Sequence, residues 1–134
     1  MKLTYKFKLN SNVRKDGTLV PLEFKTNIPF EVKRIFYIHN VENGKKRGCH
    51  AYYKTHQILI CIAGNLKVRC FDGLVEKVYN LNNLNEALYI SPKIWRSTFE
   101  HSKDAVLLVL SSLEYNESDY IRKYEQFLEA IRCT

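Results

Sequence analysis

Arg47-Gly48-Cys49-His50-Ala51-Tyr52-Tyr53-Lys54-Thr55-His56-Gln57, followed by the apolar run 58–63 and then Gly64, decides how the rest of the chain is read. The run reads as a buried strand closed by glycine. Ahead of it stand two histidines, two tyrosines and a glutamine, preceded by an arginine suited to a phosphate group. Polar and aromatic groups gathered at the mouth of a buried strand have the make-up of a small-molecule site. The stretch is expected to break near Thr55, with one strand before the break and another after it.

Downstream, Leu66, Val68 and Cys70 alternate with Lys67 and Arg69, as a strand does when one face is buried and the other wet. Gly64-Asn65 is read as the hairpin turn that joins this strand to the apolar run. Asp72-Gly73 is the next turn, and strands are expected over 75–81, 87–90, 95–99 and 105–110. Upstream, Leu3, Tyr5, Phe7 and Leu9 alternate with Lys2, Thr4, Lys6 and Lys8, which predicts a first strand within 1–10. Asp16-Gly17 reads as a hairpin turn. Residues 19–24 read as extended, at a sheet edge because Pro21 cannot donate to a ladder. Another strand is expected over 32–38, ending before the turn residues 40–44.

Strands recurring every eight to twelve residues with Gly, Pro, Asn and Asp between them predict an all-β sandwich or barrel. Only the tail changes period. Tyr120, Ile121, Tyr124, Phe127, Leu128 and Ile131 follow helical spacing, and Ser118 is placed to cap one C-terminal amphipathic helix.

A chain of 134 residues is one domain's worth. With 46% hydrophobic and 13% aromatic residues it is no disordered segment, and no apolar run is long enough to span a bilayer. The N-terminus lacks the continuous apolar stretch of a signal peptide. Cys49, Cys61, Cys70 and Cys133 show no close pairing, so reduced thiols in the cytoplasm are expected. A formal charge of +7, spread along the chain, fits nucleic acid, an anionic small molecule or plain solubility alike. A basic barrel stacking single-stranded nucleic acid ranks last, because the aromatics fall mostly at positions expected to face inward. The expectation is no nucleic acid and no membrane.

The spacing around His50 resembles the first motif of metal-binding cupins, in which His-x-His, a carboxylate and a later glycine clasp a divalent ion. Here Tyr52 and Gln57 occupy the second histidine and carboxylate positions. A phenol and a neutral amide are poor ligands for such a site, so the jelly-roll frame is expected without a metal, leaving His50 free as an acid or base.

Over roughly 17–127 the chain resembles the nucleotide-sugar 3,4-ketoisomerases, small metal-free cupins. The likeness is carried by Pro29-Phe30, Lys33-Arg34-Ile35-Phe36-Tyr37-Ile38, Arg47-Gly48-x-His50-Ala51, Gln57 and Gly64. It continues through Asp72-Gly73, Leu88-Tyr89-Ile90-x-Pro92-x-x-Trp95, and from Ser112-x-x-Tyr115 to Asp119-Tyr120-Ile121-Arg122-x-Tyr124-x-x-Phe127. The resemblance implies a cupin-type jelly-roll barrel acting on dTDP-4-keto-6-deoxyglucose without metal or cofactor. The ketone would move from C4 to C3 through an enediol.

His50 matches the family's catalytic base and Tyr37 its active-site tyrosine, although the residues alone read Tyr37 as a half-buried strand aromatic. Arg47 is expected to hold the diphosphate, with Arg34 and Lys54 also on the substrate. Tyr52 departs from the family's second histidine, and His56 is a candidate replacement imidazole. Asp16, His56 and Arg96 fall where the family varies, and Arg96 points to a product of the gluco series. Trp95 suits a sugar pocket or a core equally. The family implies a homodimer and a downstream PLP-dependent aminotransferase making a 3-amino sugar for a surface glycan. The competing reading is a non-catalytic cupin that binds a nucleotide sugar as a sensor, favoured by the lost imidazole at Tyr52.

Overall fold

The computed structural model describes residues 2–133, so Met1, within the expected first strand, lies outside the described residues. The strands are β1 (Thr4–Lys8), β2 (Asn12–Arg14), β3 (Gly17–Leu19), β4 (Arg34–His39), β5 (Arg47–Tyr52) and β6 (Gln57–Ala63). They continue with β7 (Leu66–Phe71), β8 (Glu76–Leu81), β9 (Glu86–Ile90), β10 (Trp95–Phe99), β11 (Val106–Ser111) and β12 (Tyr120–Ile121), ahead of the helix α1 (Tyr124–Arg132).

Two five-stranded antiparallel sheets, ordered β1-β9-β6-β11-β4 and β12-β5-β10-β7-β8, face each other as a jelly roll, with β2 and β3 as a separate hairpin. Alternation along each strand sends one set of side chains between the sheets. Leu59 and Cys61 of β6, Val68 and Cys70 of β7, Leu88 and Ile90 of β9, and Leu107 and Val109 of β11 form that inner core. The other face of the first sheet is covered too, where Ile58, Ile60, Ala87, Tyr89 and Leu110 pack with Leu9, Ile28 and Phe30. Burial on both faces explains the unbroken apolar run 58–61. Helix α1 covers the second sheet from outside, seating the fully buried Phe127 beside Ala51 and Ile121, with Phe71 and Trp95 against them.

Three expectations are corrected. Gly64-Asn65 does not close a hairpin, because β6 and β7 lie in different sheets and the pair carries the chain from one to the other. The corner is tight: Gly64 has φ +66°, and a Cβ there would stand 2.9 Å from the Ala105 Cα. Residues 19–24 do not continue as a strand past Leu19. The Asn27 side chain accepts from the Glu23 N–H at 2.8 Å and donates to the Pro21 carbonyl at 2.9 Å, drawing the segment into a turn.

Ser118 caps no α-helix. It sits in a 3-10 turn (Glu117–Asp119) that Asn116 caps through its side chain. Tyr120 and Ile121 then pair with Tyr52 and Ala51 as a strand, and α1 begins only at Tyr124.

Candidate active site

A bulge builds the site. Arg96 of β10 pairs with His50 of β5, but Thr98, two residues on, pairs with Arg47, three residues back. The extra β5 residue is accommodated at Gly48, whose φ of +66° a side chain would resist. Residues directly opposite in a ladder share a face. Arg96 therefore shares the inner face with His50, Thr98 shares it with Arg47, and strict alternation would have separated Arg47 from His50. Tyr52, two residues beyond His50, keeps the same face and pairs in turn with Tyr120 of β12. Ala51 between them points the other way, under Phe127.

The result is a cluster of rings and guanidinium groups. The His50 ring meets Tyr52 edge-on at 4.9 Å between centroids and Tyr120 at 5.1 Å, and the two tyrosine rings are 4.6 Å apart. Arg96 is buried, with its guanidinium carbon 5.0 Å from the centre of the Tyr52 ring. Its Nη1 donates to Gln57 Oε1 at 2.7 Å and its Nε to the Ile94 carbonyl at 3.3 Å. Arg96 Nη2 is buried and finds no hydrogen-bond partner among the described residues. Gln57 Nε2 donates to the Tyr52 hydroxyl at 3.2 Å and to Ser111 Oγ at 2.8 Å. Arg34, from the edge strand β4, donates to the Tyr120 hydroxyl at 3.0 Å. Arg122 lies 4.2 Å over the Tyr120 ring and is held by Glu117.

Burial and this cationic rim keep His50 neutral. Desolvation lowers its pKa most, Arg96, Arg122 and Arg34 push it further down, and Glu117 opposes them, leaving it at about 3. An imidazole without its proton is the form that can take one. Tyr52 is shifted upward by burial and stays protonated. Arg122 holds the Glu117 carboxyl at about 2, so it is charged at neutral pH.

The donor set does not suit the divalent ion that many jelly rolls of this type carry. Gln57 turns its oxygen to Arg96, a permanent cation standing where a metal would compete with it, and Tyr52 offers a protonated phenol.

The other expected site residues divide. His50, Tyr52, Arg96 and Arg34 come together, with Arg47 exposed on the same strand at the rim. Lys54 faces a neighbouring cleft of about 510 Å³ shared with Lys33, Tyr53 and Tyr115, and Tyr115 touches the cluster through Tyr120 and Arg34.

Tyr37 is not brought in: it is 66% exposed on the outer side of β4, whereas its neighbours Phe36 and Ile38 pack on the inner core. His56 lies beyond the strand break, with its Nδ1 2.6 Å from the Tyr89 hydroxyl and Phe30 alongside, so it does not replace the missing imidazole at Tyr52. Trp95, one residue out of phase with Arg96, packs under α1 against Tyr124 and Phe127, as core and not as sugar pocket. Asp16 sits at the exposed turn of the β2–β3 hairpin.

Tyr120, Arg122 and Glu117 join the cluster although helical spacing places Tyr120 on a helix face; β12 and the 3-10 turn before it bring them there. The available signal was the alternation Tyr120, Ile121, Arg122, which is polar, apolar, polar at strand spacing.

Comparison with known proteins agrees with this geometry. The family model described as FdtA: WxcM-like, C-terminal matches residues 4–132. A TDP-4-oxo-6-deoxy-alpha-D-glucose-3,4-oxoisomerase from Aneurinibacillus thermoaerophilus is 38% identical over 115 residues, covering 86% of this chain and 83% of that protein. Among solved structures, the 3,4-ketoisomerase QdtA from Thermoanaerobacterium thermosaccharolyticum, in complex with TDP, is 39% identical with a TM-score of 0.93, covering 97% of this chain and 95% of that one. A mutant of QdtA in complex with TDP-4-keto-6-deoxyglucose is 38% identical, again with a TM-score of 0.93, covering 97% and 94%. A 4-keto-6-deoxy sugar epimerase, NovW from Streptomyces spheroides, shares the fold at 17% identity and a TM-score of 0.72. The chain therefore belongs to the FdtA-like family of sugar 3,4-ketoisomerases.

Proposed function

We propose that this protein is a cofactor-independent isomerase that moves the ketone of dTDP-4-keto-6-deoxyglucose from C4 to C3. The single observation that carries the reading is a half-buried, neutral His50 ringed by arginines on the inner face of a jelly roll. A neutral imidazole takes the C3 proton, made acidic by the adjacent carbonyl, and returns it at C4. Arg96 faces His50 across the ladder with a buried N–H still to be satisfied, which suits it to the negative charge of the enediolate. Tyr52 fixes the imidazole edge-on and keeps its proton. Arg47 at the rim is suited to the diphosphate, and Lys33 and Lys54 line the adjoining cleft where the rest of the nucleotide fits.

Incubation with the 4-keto nucleotide sugar in deuterated water tests this. Deuterium at C4 of a 3-keto product, with the gluco configuration expected from Arg96, supports it. Binding with unchanged sugar resonances would instead mark a sensor. His50→Asn should keep the fold and lose about 10²- to 10⁴-fold in turnover, the span of general base catalysis.

The same reading makes the protein a cytoplasmic homodimer. Its four thiols are unpaired, and no helix among the described residues is long and apolar enough to cross a membrane. Val13, Leu19, Ile35 and Tyr37 expose apolar surface on the hairpin and the outer face of β4, which a second copy would cover. Light scattering reads the subunit number. A 3-keto sugar suits a PLP-dependent aminotransferase as the next step, on the way to a 3-amino sugar of a surface glycan such as a lipopolysaccharide O-antigen.

A further inference from the structure

Three guanidinium groups, those of Arg96, Arg34 and Arg122, act on His50 against one carboxylate, that of Glu117. We propose that Glu117 is an internal counter-ion, which fills the fork of Arg122 until the diphosphate of the substrate takes its place. The inference rests on the ketoisomerase reading above and adds to it a residue that sets substrate affinity.

Arg122 donates to Glu117 through Nε and, at 2.8 Å, through Nη2. Two N–H donors side by side on one carboxylate is also the way a guanidinium takes a phosphate, so the two anions compete for the same pair of donors. The fork is aimed at the site. Arg122 directly follows β12 and lies 4.2 Å from the centre of the Tyr120 ring, which is 5.1 Å from that of His50. An anion held there stands one ring away from the proposed base. Glu117 belongs to the 3-10 turn before β12, and its Oε1 also accepts from the Tyr115 hydroxyl at 2.6 Å. Arg122 and Tyr115 together hold the carboxyl at about 2, so at neutral pH it competes with a full negative charge. Both members of the pair are about half exposed, and an ion pair so placed adds little to folding and is screened by salt. It can open without loss of the fold. Neither other arginine offers the same exchange, because Arg34 is engaged with the neutral phenol of Tyr120 and Arg96 is buried.

The exchange is favoured by charge. A single carboxylate leaves, and a diphosphate charged on each phosphate arrives among the cations. The displaced Glu117 side chain turns to water, which its exposed position allows. When the product departs, the carboxylate returns to the fork. The same competition opposes binding, so Glu117 lowers the affinity for a nucleoside diphosphate and speeds its release. An ion pair that merely aimed Arg122 would do the reverse and raise affinity. The two roles therefore differ in sign.

The test is calorimetric titration with dTDP, beside KM for the 4-keto nucleotide sugar. Glu117→Gln should tighten dTDP binding and lower KM by about three- to tenfold. Glu117→Ala, which leaves Arg122 no acceptor at this position, should do so at least as strongly, and decides alone if thermal melting shows Glu117→Gln unfolded. Arg122→Gln should weaken dTDP by about tenfold or more. In that background Glu117→Gln should tighten dTDP by less than about twofold, because the fork they share is gone. Unchanged or weaker dTDP binding in the Glu117 variants, or equal gains with and without Arg122, overturns the proposal. Wild-type protein that binds dTDP without isomerising the keto sugar overturns the ketoisomerase reading, and the dTDP affinities of the variants still decide the role of Glu117. Wild-type protein with no affinity for dTDP overturns both.

Discussion

His50 and Arg96 stand opposite each other across β5 and β10, so the proposed base and a buried permanent cation share one inner wall. The pairing works against stability twice over. It keeps the imidazole from charging, and it leaves part of a guanidinium unsatisfied in the interior. Such an arrangement makes chemical sense at a site awaiting negative charge, since a diphosphate and an enediolate would relieve both.

Activity should therefore lack the usual acid limb of a histidine enzyme. Free His50 titrates at about 3, so kcat/KM, which reports the free enzyme, should stay level from pH 8 to about pH 5. A limb near the ordinary imidazole value of about 6.5 would exclude this environment for the base. Bound anionic substrate raises the pKa, so the limb in kcat should lie above that in kcat/KM.

The same shift bears on folding. Unfolded His50 takes up its proton near pH 6.5 and the folded form only near 3, so its contribution is intact above 6.5 and is lost as pH falls between those values. Urea midpoints for wild type and His50→Asn at pH 7 and pH 4.5 isolate it. The variant should lose less stability on acidification, and equal losses would count against a buried neutral imidazole.

Replacing Arg96 with methionine should separate activity from stability. The exchange strands Gln57 Oε1, at a cost of about 1–3 kcal/mol, and removes an incompletely satisfied buried cation, which offsets it. Unfolding free energy should stay within about 1 kcal/mol of wild type or rise, whereas kcat should fall about 10²-fold with the lost stabilisation of the enediolate. A large stability loss with kcat retained would make Arg96 a structural residue only.

Asp119 fastens the segment after β5 to the turn that delivers Tyr120. Its carboxylate accepts from the Lys54 N–H at 2.9 Å, from the Thr55 N–H at 3.2 Å and from the Thr55 hydroxyl. Asp119→Ala leaves these donors without their acceptor and should cost about 2–4 kcal/mol in chemical denaturation. Turnover should fall as well, because Tyr120 follows directly in the chain, and a variant of unchanged stability would show that the fastening has no energetic weight.

What could be read from the sequence followed the physics of each feature. The alternation in β7, the strand positions of β1 and β10 and the break at Thr55 depend on local pattern, and they are found as expected. Partner choice is not local: nothing in Gly64-Asn65 reveals that β6 and β7 belong to different sheets, because β11 and β10 at a distance decide it. The bulge at Gly48 likewise reverses the face of Arg47 in a way that alternation cannot show. Tyr120 was hidden by its brevity, since a two-residue strand beside a helix has no period of its own to read. His50 was legible through family likeness, and its neutrality only through its burial and the arginines that three other segments bring to it.

Tyr52→His is the most direct probe of the phenol that packs edge-on against the proposed base. The phenol is buried, packed between His50 and Tyr120 at 4.9 and 4.6 Å, and its oxygen accepts from Gln57. An imidazole is smaller, so the variant should lose about 1–3 kcal/mol to the space left behind. A ring nitrogen can still accept the Gln57 amide, and the fold should survive. If Tyr52 serves only to hold His50 at its angle, kcat should remain within about tenfold of wild type, because a flat ring of either kind supplies that contact. Collapse of turnover in a folded Tyr52→His protein would instead show that the phenol hydroxyl itself handles a proton.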